Sequence, residues 1–294
     1  MNKILVPTDF SAPAKKALLF ALDLALKTNA QLLVCHVYQR LSPFLGDSYE
    51  TTEEPRRRAM GQMEDFLRVA TSACYSAVPI EYLVREGNPL QRLSQLINQD
   101  QVSLVVMGTK GAHDRLGKIF GTITETLVKR SLCPVVAIPE KAPLHAIENM
   151  VYTSTLEHSE VPALGLLLQL KDLFKANLTV LHVKSEDQLD LVEDNLIQEQ
   201  LREEFPQQEF RFETVAQEEV VKGILDYLRQ HQTHLLAFTV LEHDFWEVLF
   251  QDSVTTHLLH RLEIPMLALP FHPSKRTLVQ KLTHERFPLE SQLV

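Results

Sequence analysis

The chain has 294 residues, 45% of them hydrophobic, which suits one large α/β domain or two domains of common size, each with a real core. Its three cysteines, Cys35, Cys74 and Cys133, form no CxxC pair, and no eighteen-residue apolar span or signal-peptide pattern appears; a disulfide framework, a zinc ribbon and a membrane span are therefore excluded, and a reducing cytoplasm is expected. The net charge of −9 is unevenly spread, with 16 Lys/Arg against 14 Asp/Glu in residues 1–140 and 13 against 24 in residues 141–294, so general nucleic-acid binding through a basic face is not expected.

Short apolar runs alternate with helical periods from the first residues onward. ILVP (4–7) leads to a helix through Ala14–Lys27, with Ser11 as N-cap and Pro13 near the first turn. QLLVCHV (31–37) leads through a polar loop to a long helix around 53–73, and IEYLV (80–84) leads to PLQRLSQLI. SLVVM (103–107) runs into the glycine-bearing stretch GTKGAHDRLGKIFGT and a helix near 122–131, and PVVAIP (134–139) closes the set. Nearly continuous apolar strands alternating with helices predict a parallel sheet covered on both faces.

The second half repeats this order. NMVYTS (149–154), NLTVLHV (177–183), FRFETV (210–215) and LLAFTV (235–240) correspond to the first four strands, and a shift of 131 residues lays Leu104–Pro139 over Leu235–Pro270 without a gap. Two related domains are expected, residues 1–140 and 149–270, separated near EKAPLHAIE (140–148) and followed by a tail, 271–294, to which no role is assigned.

The glycine stretch reads Gly108-x2-Gly111-x9-Gly121-Thr122, with Thr124 two positions on. Glycines let backbone N–H groups turn toward one point, and a helix beginning at Gly121-Thr122 would add its dipole and free N–H groups; Lys110, Arg115 and Lys118 add positive charge. The same spacing also suits a mobile strand-to-helix connection. PTDFS (7–11) follows the first strand, and in a sheet ordered 3-2-1-4-5 the first and fourth strands are neighbours at the topological switch point, so Asp9 would face the glycine loop. Its carboxylate could accept hydrogen bonds from an adenine amino group or ribose hydroxyls, help place a metal, or simply cap the helix that follows.

These features together resemble the universal stress protein family in its tandem form. That family has a five-stranded α/β domain whose ATP-binding members carry G-x2-G-x9-G-[ST] after strand four and an aspartate after strand one. The resemblance implies two tandem Rossmann-like domains, of the adenine nucleotide α-hydrolase-like kind, each a parallel sheet of order 3-2-1-4-5 flanked by helices. It implies that Pro7, Thr8, Asp9, Val37, Met107 and Ile123 line the nucleoside end of an ATP site. Gly108, Lys110, Gly111, Gly121, Thr122 and Thr124 would hold its phosphates, with an accompanying Mg2+ left open. The implied role is that of a stress-response or regulatory module, and a homodimer of tandem chains is expected from the family's habit of pairing domains. Within the chain, the fifth strands are the expected contacts between the two domains.

In the second half the 131-residue shift puts Thr239, Glu242, Asp252 and Ser253 at the places of Gly108, Gly111, Gly121 and Thr122; after the first strand of the repeat, YTSTL (152–156) stands at the place of PTDFS, with no aspartate. No ATP is expected there, and the second domain reads as a structural partner of the first. An enzyme remains the alternative: a slow ATP hydrolase or phosphotransferase using His113 and Asp114, or a metal-assisted hydrolase using second-half histidines such as His231/His234, His243 and His257/His260. A scaffold that binds no nucleotide is a third. The run PRRR (55–58) reads as the charged start of a helix, Trp246 as part of a domain contact, and Cys133 has no His or Asp partner that would make it a nucleophile.

Overall fold

The computed structural model describes residues 3–39, 53–68, 75–109, 122–130, 132–144, 146–156, 160–184, 194–240 and 263–270. The first half comprises β1 (Lys3–Pro7), α1 (Ala12–Thr28), β2 (Gln31–Tyr38), α2 (Glu53–Leu67), β3 (Ile80–Glu86), α3 (Pro89–Gln99), β4 (Leu104–Gly108), α4 (Thr122–Arg130) and β5 (Val135–Ile138). The second comprises β6 (Asn149–Thr153), α5 (Val161–Phe174), β7 (Asn177–Lys184), α6 (Asp194–Glu204), β8 (Arg211–Ala216), α7 (Val220–Gln230), β9 (Leu235–Val240) and β10 (Met266–Pro270).

All ten strands belong to one sheet, in the order β3-β2-β1-β4-β5-β10-β9-β6-β7-β8. Each half is a parallel set of order 3-2-1-4-5, a doubly wound α/β fold as expected. The halves join through the fifth strand of each, where β5 and β10 pair antiparallel with Met266 opposite Ala137 and Ala268 opposite Val135. Two open sheet edges are thus consumed in one seam.

The strands read as unbroken apolar runs because both faces are covered. On one face Ile4, Val6, Leu104, Val106, Met150 and Tyr152 pack under residues of α1, α2, α5 and α6; on the other Leu5, Val105, Met107, Val151 and Phe238 pack under α3, α4 and α7. Each cluster runs across the seam, so the two halves share their cores. The α1 and α5 helices meet there as well, with Phe20 and Phe174 rings 6.4 Å apart and Lys27 Nζ 5.3 Å from the Phe174 ring centre.

The connection between the halves is pinned by side chains rather than by regular structure. Lys16 donates to the carbonyl of Ala142 at 2.7 Å. His234 Nδ1 accepts the backbone N–H groups of both Glu148 and Asn149, at 3.2 and 3.1 Å, while its own N–H donates to the Asn149 carbonyl at 2.9 Å. Two donors on Nδ1 require an imidazole that is unprotonated at that nitrogen.

The halves superpose in sequence at a constant offset of 146 over their first two strands: β1 and β6, β2 and β7, and the left-handed residues Phe10 and Leu156 (φ 65° and 59°) and Asn29 and Lys175 (φ 52° and 55°) all correspond. Pro7-Thr8-Asp9-Phe10 therefore matches Thr153-Ser154-Thr155-Leu156, one residue away from the alignment of PTDFS on YTSTL. The 131-residue offset holds for the fourth and fifth strands, since Leu104 pairs with Ile4 as Leu235 pairs with Met150.

Candidate functional site

β1 and β4 are hydrogen-bonded neighbours, Ile4 opposite Leu104 and Leu5 opposite Val105, so the turns after them open on the same crevice at the carboxyl edge of the sheet. The turn after β1 is heavily constrained. Pro7 and Thr8 are buried; the Thr8 N–H donates to the Cys35 carbonyl at 2.9 Å, and the Thr8 hydroxyl accepts the Phe10 N–H at 2.9 Å. Phe10 then takes a left-handed backbone, which turns the chain sharply and leaves Asp9 exposed at the bend. Asp9 Oδ1 accepts the Ser11 N–H at 3.1 Å, while Ser11 itself caps α1 by accepting the Ala14 N–H at 3.4 Å. Asp9 is thus not the helix cap.

His36, on β2, was not anticipated as part of this arrangement. Its Nδ1–H donates to the Thr8 carbonyl at 2.8 Å, and its ring lies 4.3 Å from that of Phe10, which in turn meets Phe66 of α2 edge-on at 5.7 Å. The equivalent histidine does the same in the second half, where His182 Nδ1–H donates to the Ser154 carbonyl at 3.0 Å. The shared HV ending of QLLVCHV and NLTVLHV was the sequence signal for this pair. Val37, beside His36, is half-buried against the second core cluster.

At the end of β4, Met107 is buried and contributes to the floor of the sheet rather than its surface. Gly108 is needed for helix packing. A Cβ there would lie 2.7 Å from Pro13 Cβ, 2.9 Å from the Pro13 carbonyl carbon and 3.0 Å from Ala14 N, so α1 starts directly on the glycine. Thr109 N–H is bonded to the Ile138 carbonyl at 3.0 Å. Of the expected phosphate-holding threonines, Thr122 is exposed, whereas Thr124 is 4% exposed and donates its hydroxyl to the Gly108 carbonyl at 2.9 Å. Thr124 therefore ties α4 to the end of β4. Ile123, in the first turn of α4, is an exposed apolar side chain. Lys110, Gly111 and Gly121 lie outside the described residues, as do His113, Asp114, Arg115, Lys118, Trp246, His243, His257, His260, Glu242, Asp252 and Ser253.

The described residues that resemble a nucleoside site are thus Asp9 at the bend after β1, Val37 at the end of β2, and Thr122 and Ile123 at the N-terminus of α4. A carboxylate can accept amino or hydroxyl donors, and a helix N-terminus can receive an anion. In the second half Thr155 stands at the Asp9 position. No group of three or more His, Cys, Asp or Glu side chains able to hold a metal occurs among the described residues. His231 Nδ1–H is donated to the Tyr227 carbonyl at 2.9 Å, and His234 Nδ1 accepts two backbone N–H groups, so the Nδ1 atoms of both are engaged within the protein.

The remaining polar feature is a buried cysteine. Burial pushes the Cys35 thiol up to about 12, with Arg85 opposing the shift, so Cys35 is held as the thiol and is inert as a nucleophile. Cys133 is likewise buried. Among the described residues, no helix is long and apolar enough to cross a membrane.

A doubly wound parallel sheet of order 3-2-1-4-5 in each half defines a protein of the Rossmann-like α/β class. Comparison with known proteins narrows this class. The universal stress protein family model matches residues 1–139. A universal stress protein of Thermus aquaticus is 31% identical over 137 residues, which cover 46% of this chain and 96% of that protein. One of Methanocaldococcus jannaschii is 29% identical over 141 residues, 47% of this chain and 81% of that protein. The chain belongs to the universal stress protein family. Over nearly its whole length its fold is that of a universal stress protein from Archaeoglobus fulgidus, whose crystal structure covers 92% of this chain and 98% of its own, with a TM-score of 0.69 at 16% identity.

Proposed function

We propose that residues 1–140 bind ATP or a related adenine nucleotide at the β1/β4 switch point, and that residues 149–270 are a ligand-free structural partner. In this reading the protein is a cytoplasmic stress-response or regulatory module whose activity is nucleotide binding rather than turnover. The observation that carries it is the pairing of β1 with β4, which brings the turn bearing the exposed Asp9 and the end of β4, to which Thr124 ties the start of α4, to the same edge of the sheet. Asp9 would accept hydrogen bonds from the nucleoside, Val37 and Ile123 would flank the base, and the α4 N-terminus with Lys110, Gly111, Gly121 and Thr122 would receive the phosphates. Mg2+ would accompany the phosphates as a counterion. Gly108, Met107 and Thr124 would shape the site from beneath. The shared family membership of the first half supports the assignment, and Thr155 and Thr239 at the places of Asp9 and Gly108 support its restriction to one half. A homodimer of such chains is the proposed assembly.

The test is mass spectrometry of gently purified protein for retained nucleotide, followed by titration with ATP. One adenine nucleotide per chain is expected; no binding, or two equivalent sites, would overturn the reading.

A further inference from the structure

The two halves part company beneath the turn after their first strand. On the common register Val6, Thr8 and Ala14 correspond to Tyr152, Ser154 and Glu160, and Gly108 corresponds to Thr239. In the first half the start of α1 rests on Gly108, with no room for a side chain. In the second half a side chain stands in that place: Thr239 Oγ1 is 2.7 Å from the Tyr152 hydroxyl, and α5 begins at Val161, three residues later in the register than α1. The space between turn, strand end and helix is filled by Glu160, which is only 2% exposed.

A carboxylate buried to that degree is costly unless donors surround it. Glu160 finds several in the turn after β6. The Ser154 hydroxyl donates to Oε2, and the Thr155 N–H and Thr155 hydroxyl both lie 3.2 Å from Oε1. The turn is otherwise built as in the first half: Ser154 Oγ accepts the Leu156 N–H at 2.9 Å, as Thr8 Oγ1 accepts that of Phe10, and His182 holds the Ser154 carbonyl as His36 holds that of Thr8. Burial and then the Glu160 charge push the Tyr152 phenol well above its ordinary range, so it stays an O–H donor beside the carboxylate. Val6, Ala14 and Gly108 offer no polar side chain at the matching places. The carboxylate, the Tyr152 phenol and the Thr239 hydroxyl thus occur together in the second half, and none of the three has a polar counterpart in the first.

We propose that Glu160 is a built-in anionic occupant of the turn after β6. Its carboxylate takes the hydroxyl and amide donors that an external anion would meet, and it holds the second half closed at that turn without any ligand. The proposal concerns Tyr152, Ser154, Thr155, Glu160 and Thr239 alone, so it stands or falls separately from nucleotide binding in the first half.

Chemical rescue of the full chain tests it. Thermal unfolding of Glu160→Ala and Glu160→Gln would be followed in sodium formate, sodium acetate and sodium chloride at equal ionic strength. Glu160→Ala is expected to melt several degrees below the unsubstituted protein, and formate, which fits the vacated carboxylate space, is expected to raise its melting temperature saturably. Acetate should do so less, and chloride no more than it does for the unsubstituted protein. Glu160→Gln, whose amide still fills the space, should show no formate effect. A Glu160→Ala chain that melts like the unsubstituted protein, or gains no more from formate than from chloride, overturns the proposal. Should Glu160→Ala fail to fold, amide hydrogen exchange of Glu160→Gln decides: exchange at Thr155 at least about tenfold faster is expected from loss of a charge-assisted bond, and an unchanged rate overturns it. ATP titration of the same variants reads the first half independently.

Discussion

Replacing Gly108 by alanine separates two physical reasons for a glycine at the end of β4. If the residue served only to let a phosphate approach, the folded protein would accommodate a methyl group with little loss of stability. The structure says otherwise. The new Cβ would come within 2.7 Å of Pro13 Cβ, 2.9 Å of the Pro13 carbonyl carbon and 3.0 Å of Ala14 N. Two of these three atoms are backbone at a capped helix start, and the third belongs to a rigid ring, so no rotamer change relieves the contact. The start of α1 must lift from the sheet, and overpacking of this kind costs about 1–3 kcal/mol. Per half-chain of this size that corresponds to a melting temperature lowered by roughly 2–12 °C, at about 2–4 °C per kcal/mol. Differential scanning calorimetry of the nucleotide-free protein is the assay, because it removes any contribution from ligand. A Gly108→Ala protein that melts within a degree of the unsubstituted chain would refute the packing argument and return the glycine to a purely ligand-related role.

Three further outcomes are expected. Gly121→Asp, which copies Asp252 of the second half, should abolish ATP binding through a negative charge among the phosphates without lowering the melting temperature of the nucleotide-free protein; calorimetric titration checks it. Cys35 ionises near 9 when unfolded and at about 12 when folded, so the folded state holds an extra proton between those values. Its contribution is intact below pH 9 and falls by about 1.4 kcal/mol per pH unit above it, and the difference between the unsubstituted and Cys35→Ala proteins in urea unfolding from pH 8 to 11 should show that slope. His234→Ala removes the acceptor for the Glu148 and Asn149 N–H groups; a loss of about 0.5–1.5 kcal/mol is expected in urea unfolding, since water can reach the freed donors, together with faster amide exchange at both residues.

The sheet was legible because its strands are covered on both faces and so read as apolar runs, and the fourth and fifth strands could be aligned without gaps because Pro134/Pro265 and Pro139/Pro270 mark both ends. The turn after the first strand was harder. Its defining left-handed residue is Phe10 in one half and Leu156 in the other, and neither side chain advertises a positive φ. The hydroxyl-rich TST run offers several equivalent registers, which is why PTDFS was laid one residue away from its true counterpart. The glycine pattern announced that a Cβ was unwelcome at Gly108 but not that the neighbour was α1, which lies almost a hundred residues earlier. Glu160 shows the opposite difficulty: in the run EHSEVP it looks like surface, and only the three-dimensional position of Ser154, Thr155 and Thr239 makes it interior.

The antiparallel seam between β5 and β10 has a bearing on stoichiometry. A sheet assembled from separate chains would form and dissolve with concentration, and two different chains would sort statistically into like and unlike pairs. Joining them through a short connection makes the encounter intramolecular, with the effective concentration of a tether rather than that of the solution. Every half carrying Asp9 therefore faces a half carrying Glu160, in a ratio fixed at synthesis and unaffected by dilution. Because the strands run oppositely across the seam, the two crevices also open at opposite ends of the sheet, so a body approaching the Asp9 side meets the amino ends of the second half and never its Glu160 turn.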